Sequence, residues 1–113
     1  MGGEEPAVEP NRRFPRIPIE NPVLVRRAEG DPGAFSTAKS LGGGGCMFHQ
    51  REPLAVGDHL VVTISVRGGF IEAPAKVVYA TPADGGFDVG VEFLALSELD
   101  RAALDELLAP PRP

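Results

Sequence analysis

His59-Leu60-Val61-Val62-Thr63-Ile64-Ser65-Val66-Arg67-Gly68-Gly69-Phe70 decides the fold. Leu60, Val62, Ile64 and Val66 fall on one face of an extended chain, with His59, Val61, Thr63 and Ser65 on the other. A period of two describes a strand with one face in a core. Arg67-Gly68-Gly69-Phe70 then reads as a tight hairpin, the Gly-Gly pair supplying positive φ at both central positions. The chain returns through Phe70–Ala80, where Pro74 implies a bulge or an edge position because it has no amide to give a ladder. After a second hairpin loop, Pro82-Ala83-Asp84-Gly85-Gly86, comes the sharpest alternation in the sequence. Phe87, Val89, Val91 and Phe93 lie on one face, and Asp88, Gly90 and Glu92 on the other.

Upstream, the same grammar continues with less regularity. Pro15 and Pro18 forbid a helix around them and favour an extended path. Val23-Leu24-Val25-Arg26-Arg27-Ala28 is a β-rich run, closed by the turn signal Glu29-Gly30-Asp31-Pro32-Gly33. Arg26 and Arg27 read as strand-surface arginines. Phe35 to Lys39 predicts a short strand cut off by Ser40 and a glycine run. Cys46-Met47-Phe48 predicts the next strand, entering the core. Arg51 to Asp58 is a connection, with Gly57-Asp58 as its turn. The single tyrosine and the six phenylalanines fall mostly at core-facing strand positions.

The one helix comes last, over 97–108. Ser97 caps it, Asp100 completes a capping-box-like pair, and Glu98 and Asp100 suit the positive end of the helix dipole. Leu99, Ala103 and Leu107, flanked by Ala102, Leu104 and Leu108, give it one broad apolar face, and Ala109-Pro110-Pro111 ends it. The fold class is therefore all-β: five or six short antiparallel strands in a small barrel, with a C-terminal helix across one end or side.

Composition narrows the function. The chain has 113 residues, enough for one core. Residues 1–10 read as a flexible leader, 11–109 as the barrel domain and 110–113 as a tail. A formal net charge of −5 argues against a general binder of nucleic-acid polymers, whose affinity comes from a basic surface. One cysteine, Cys46, allows no internal disulfide and no thiolate metal cluster, and it reads as a core residue. His49 and His59 lack metal-ligand spacing, and His49 reads as a strand-end surface residue. No Ser-His-Asp, Cys-His or paired-carboxylate set can be nominated, so no catalytic or metal-binding residues, no cofactor and no enzymatic activity are expected. No apolar run reaches a membrane span of about 18 residues, and no secretory signal opens the chain. A cytoplasmic location without membrane insertion is the expectation.

Two stretches remain. Asn11-Arg12-Arg13-Phe14-Pro15-Arg16 sets three guanidinium groups close together. Ser40-Leu41-Gly42-Gly43-Gly44-Gly45 offers a hydroxyl beside backbone that no side chain obstructs. Guanidinium groups clamp phosphate or purine edges, so the pair describes an anion- or nucleotide-binding site. In this order and context the two stretches resemble the signature of the PilZ domain family. Arg12 and Arg16 match its R-x-x-x-R motif, with Arg13 as the usual second arginine, and Ser40 and Gly43 match its [D/N]-x-S-x-x-G motif. Ala75-Lys76-Val77-Val78-Tyr79, Val89-Gly90-Val91-Glu92-Phe93 and the terminal helix also look like the family.

The resemblance implies a six-stranded antiparallel barrel and a receptor for cyclic di-GMP. It names Arg12, Arg13, Arg16, Ser40 and Gly43 as the ligand contacts. It implies an arginine segment that folds over the ligand, and a stand-alone domain acting through an unidentified downstream protein. One position departs. Ala38 stands where the family has Asp or Asn, which accepts from guanine N1 and N2 or orders the turn. Loss of a partner for a buried donor costs roughly 1–3 kcal/mol, or one to two decades of affinity. On this reading Ala38→Asp tightens binding. The alternative is a degenerate barrel that does not bind the nucleotide and serves as a protein–protein interaction module.

Overall fold

The computed structural model describes residues 16–27 and 31–109. The 1–10 leader, Arg12, Arg13 and the 110–113 tail lie outside these. Six strands, β1 (Arg16–Arg26), β2 (Ala34–Gly42), β3 (Gly45–Gln50), β4 (His59–Val66), β5 (Gly69–Ala83) and β6 (Gly86–Phe93), precede one helix, α1 (Glu98–Leu108). The sheet closes as a barrel in the order β1-β2-β3-β6-β5-β4, every pair antiparallel. Closure leaves no free sheet edge.

The expected alternation fills the barrel. Leu60, Val62 and Ile64 of β4, Ile71, Ala73, Ala75 and Val77 of β5, and Val89 and Val91 of β6 are buried. Phe48, Leu41, Cys46, Val23 and Val25 complete the interior, and Leu104 of α1 closes it. Burial pushes the Cys46 thiol up to about 12, against the opposing pull of the nearby Arg16 charge.

The turns follow the residues, with two differences of detail. In the β4–β5 hairpin Val66 pairs with Gly69, so Arg67 and Gly68 are its central residues. Only Gly68 has positive φ there, at 84°. In the β5–β6 hairpin the centre is Asp84-Gly85, with φ of 49° and 79°. Two positive values in succession match the twist of paired strands. Arg27 N–H and Gly33 N–H donate to the Asp31 carboxylate at 2.8 and 3.0 Å, holding its pKa below the ordinary value.

Prolines are accommodated where ladders are incomplete. Pro18 and Pro22 lie upstream of Val23↔Ile64, the first β1–β4 pair, so β1 has β2 alone beside it there. Pro74 stays in register with Val61 and sits one residue before Ala75↔Phe93, at the end of the β5–β6 ladder. Its carbonyl still accepts from Leu94 N–H at 2.8 Å, so it marks the end of a ladder and not a free edge, and the β5 bulge lies instead at Val78.

Helix α1 begins with Ser97 Oγ accepting from Asp100 N–H at 3.0 Å, as expected, but the Asp100 carboxylate, expected to complete the capping pair, accepts from Glu72 N–H at 3.4 Å instead. It lies across one barrel end, between β5 and the β2–β3 hairpin, with Leu104 inside. Its apolar face is narrower than expected. Ala103, Leu107 and Leu108 pack on the core, whereas Leu99 is 83% exposed and Ala102 is exposed. Leu99 is in the first turn, beyond the barrel opening that Leu104 fills.

Candidate functional site

The serine-glycine stretch is mostly strand. Ser40, Leu41 and Gly42 belong to β2, Gly45 opens β3, and only Gly43 and Gly44 make the turn. Its geometry is fixed by backbone packing. Phe93 N–H donates to Gly44 O at 2.8 Å, and a Cβ on Gly45 would fall 2.0 Å from Val91 O. Glycine at 45 is a packing requirement.

A bulge decides which side chains reach the surface. Ala38 pairs with Phe48, but Ser40 pairs with Met47, so Lys39 is extra. Parity therefore resets between 38 and 40. Ala38, Leu41, Cys46 and Phe48 point into the core, each 0% exposed. Ser40 and Met47 share the outer face, both half-buried. Position 38, expected to face a ligand, faces the interior. Lys39 points outward, its Nζ 3.6 Å from Asp88 Oδ1.

Arg16 and Ser40 are brought together. Ser40 pairs with Pro18 and Gly42 with Arg16, so Arg16 and Ser40 are diagonal neighbours on the outer face of β1–β2. Such neighbours have Cα atoms about 7–8 Å apart, within reach of a long side chain. Ser40 Oγ is inaccessible to solvent and has no hydrogen-bond partner among the described residues. A buried hydroxyl without a partner costs roughly 1–3 kcal/mol. Gly43 is buried at the turn, its carbonyl accepting from Arg101 Nη1 at 3.1 Å. Arg12 and Arg13 lie outside the described residues.

Two side chains beside this face escape a reading by sequence. Arg101 arrives from α1, a contact across 58 residues that no local pattern signals. Tyr79, expected among core-facing aromatics, is half-buried on the outer face, and its ring lies over Gly90. Phe35 and Phe70 are also outside the core, 80% and 65% exposed.

The other polar groups have local explanations. His49 Nδ1 lies 3.2 Å from Asp88 Oδ1 near the end of β3. Ser36 Oγ donates to the backbone carbonyl of His49 rather than to its ring. Arg26 and Arg27 pair with Glu72 and Asp58 at 3.0 and 3.3 Å. A surface depression of about 590 Å³, lined by Ala34–Thr37 and His49–Glu52, lies at the opposite end of β2–β3 from Gly43 and holds none of the expected site residues. No helix among the described residues is long and apolar enough to cross a membrane.

Solved structures share the architecture. The inhibitor of motility MotI/DgrA from Bacillus subtilis is similar at a TM-score of 0.74 and 17% identity, covering 85% of this chain and 48% of that one. YcgR from Escherichia coli in complex with c-di-GMP gives 0.71 and 15%, covering 86% and 44%. The PilZ domain of YcgR with c-di-GMP gives 0.68 and 16%, covering 86% and 88%. The chain thus spans about half the length of the first two and most of the third. No curated protein matches in sequence. The PilZ domain family matches residues 10–109, which takes in both motifs, all six strands and the helix. The chain belongs to the PilZ domain family.

Proposed function

We propose that this chain is a cyclic di-GMP receptor that passes second-messenger level to a partner protein and catalyses no reaction. The observation that carries the reading is the outer face of β1–β2, where Arg16 stands diagonal to Ser40, whose buried Oγ has no partner among the described residues. A phosphate oxygen or guanine edge between them satisfies that hydroxyl and takes a charge-assisted bond from the guanidinium. Family membership and the c-di-GMP complexes of YcgR support the choice of ligand.

Chain connectivity adds two more guanidinium groups. Arg13 is three residues from Arg16 and Arg12 four, so an extended chain keeps their Cα atoms within about 14 Å of it. The proposed mechanism has Arg12 and Arg13 close over a nucleotide already seated on Arg16, Ser40 and the backbone at Gly43. Ligand binding selects that closed arrangement and changes the surface a partner meets.

A second reading, a barrel that binds proteins without the nucleotide, draws on Ala38. Its side chain is in the core, so position 38 offers no carboxylate or amide to guanine. Calorimetric titration separates the two readings. Cyclic di-GMP binds the wild-type chain, and Arg16→Ala or Arg12→Ala abolishes the heat, while GMP gives none. A wild-type chain that gives no heat with cyclic di-GMP leaves the interaction module standing.

A further inference from the structure

No whole strand of the closed barrel is an edge, but the ladders do not run the full length of every strand. The β2–β3 ladder ends at Thr37↔His49. Ala34, Phe35 and Ser36 continue β2 and pair, among the described residues, with Val25, Leu24 and Val23 of β1 alone. On the other side β3 ends at Gln50, which pairs with Phe87 of β6. The chain then bends away, Gln50 Nε2 donating to Glu52 O at 3.0 Å. The depression of about 590 Å³ is the notch between these diverging strands.

The ladders fix which backbone groups face the notch. Asn21 Nδ2 donates to Ser65 O at 2.7 Å, so the backbone groups of Ser65, and of Thr63 two residues before it, face β1. Thr63 pairs with Leu24, whose groups therefore face β4. By alternation those of Val23 and Val25 face β2, where they meet Ser36 and Ala34. Phe35 N–H and C=O point the other way, into the notch, and have no hydrogen-bond partner among the described residues. Ser36 Oγ donates to His49 O and closes the inner end of the notch. The Phe35 side chain is 80% exposed beside it. An open donor and acceptor on a formed strand are a template for another strand.

We propose that this notch docks an extended segment of a partner protein, which adds a strand to β2 by bonding to Phe35 N–H and C=O. The recess chooses the occupant. A second copy of this chain presents an equally recessed edge, and two recessed edges do not meet, whereas a single extended peptide is thin enough to enter. Its residue opposite Phe35 lies beside that side chain on the outer face, where Leu24 is the neighbour across the β1–β2 ladder, so an apolar residue is favoured there. Arg51 and Glu52 stand exposed at the mouth with opposite charges, so the segment needs no net charge. The surface goes beyond the nucleotide reading: it serves a receptor or an interaction module alike.

The full chain is tested without nucleotide. In hydrogen exchange the Phe35 amide is expected to exchange roughly tenfold or more faster than the Ser36 amide, which faces β1. Equal protection of the two overturns the open edge. Wild type then selects from a phage-displayed library of random linear peptides, with Phe35→Pro as the comparison. Proline removes the N–H but spares the β1–β2 ladder, which does not use it. Selected peptides are expected to carry an apolar residue in a proline-free extended core. They should shift the resonances of Ala34–Thr37 and His49–Glu52, protect the Phe35 amide, and bind Phe35→Pro roughly tenfold more weakly. N-methylation along a selected peptide should weaken binding at alternate positions alone, a readout that does not depend on how the variant folds. A library that yields no such peptide, shifts confined to other surfaces, or shifts at Phe35 that follow protein concentration alone, as a second copy would give, overturn the proposal.

Discussion

Ala38 and Phe48 face one another across the β2–β3 ladder inside the barrel, each with no exposed surface. The alanine at the motif's acidic position is therefore a core residue here. Leu41 and Cys46 are the next inward pair. Asp at 38 sets a carboxylate among these apolar side chains. The cost of an unpaired buried charge is on the order of 3–5 kcal/mol. Ala38→Asp is predicted to lower the unfolding free energy by that amount, read as a fall in the urea midpoint, without tightening nucleotide binding. An unchanged midpoint with tighter binding contradicts the register, because it requires position 38 to face outward.

Gly45 is predicted to tolerate no larger residue without loss of stability. Its added Cβ meets Val91 O at 2.0 Å and the Val91 carbonyl carbon at 3.0 Å, both backbone atoms. Gly45→Ala should cost about 2 kcal/mol or more by forcing β3 and β6 apart. At Gly69 an added Cβ meets nothing within 4 Å, and Gly69→Ala should shift stability by about 0.5 kcal/mol or less. Chemical denaturation of the two variants side by side checks the difference.

Arg101 ties helix α1 to the glycine turn. Arg101→Gln removes the charge behind the 3.1 Å bond to Gly43 O and is predicted to cost about 1 kcal/mol. Hydrogen exchange localises the effect. Protection should fall at the amides of Gly43 and Gly44 and in α1, with the β4–β5 ladder unchanged.

Cys46 gives the barrel an alkaline limit. Its thiol is raised from 9.0 to about 12 by burial, so above pH 9 the unfolded chain ionises first and the folded chain holds its proton. Stability from this group is intact below pH 9 and is lost as pH rises toward 12, on the order of 1 kcal/mol per pH unit. Cys46→Ala should show a shallower fall of the denaturation midpoint between pH 8 and 11. At pH 8 the wild-type thiol should react with a thiol reagent only after denaturant is added. Equal slopes for the two chains contradict the assignment.

The barrel was legible because its strands advertise themselves by alternation. Phe87–Phe93 and His59–Val66 carry a period of two that only a half-buried strand satisfies, and Gly68 and Asp84-Gly85 punctuate them. The helix was legible from Ser97 and Asp100. The bulges at Lys39 and Val78 were not, since one inserted residue leaves no mark in composition yet reverses the facing of everything beyond it. This is why Ala38 reads as a ligand position and lies in the core, and why Tyr79 reads as core and lies outside. Leu99 fits the helical period, but the width of the opening that α1 covers is set by six strands together. Of the candidate site, Ser40 and Arg16 meet as their motifs suggest. Arg101 joins only through the closure of the whole barrel.

The most direct test of the central claim is the amide spectrum of the labelled chain as cyclic di-GMP is added. The nucleotide is predicted to shift the resonances of Arg16, Ser40, Gly42, Gly43, Met47 and Gly90, which share one outer face around the turn. Those of Ala34–Thr37 and Gln50–Glu52, around the depression at the far end, should hold still. Shifts confined to that far end, or no shifts at saturating nucleotide, contradict the account.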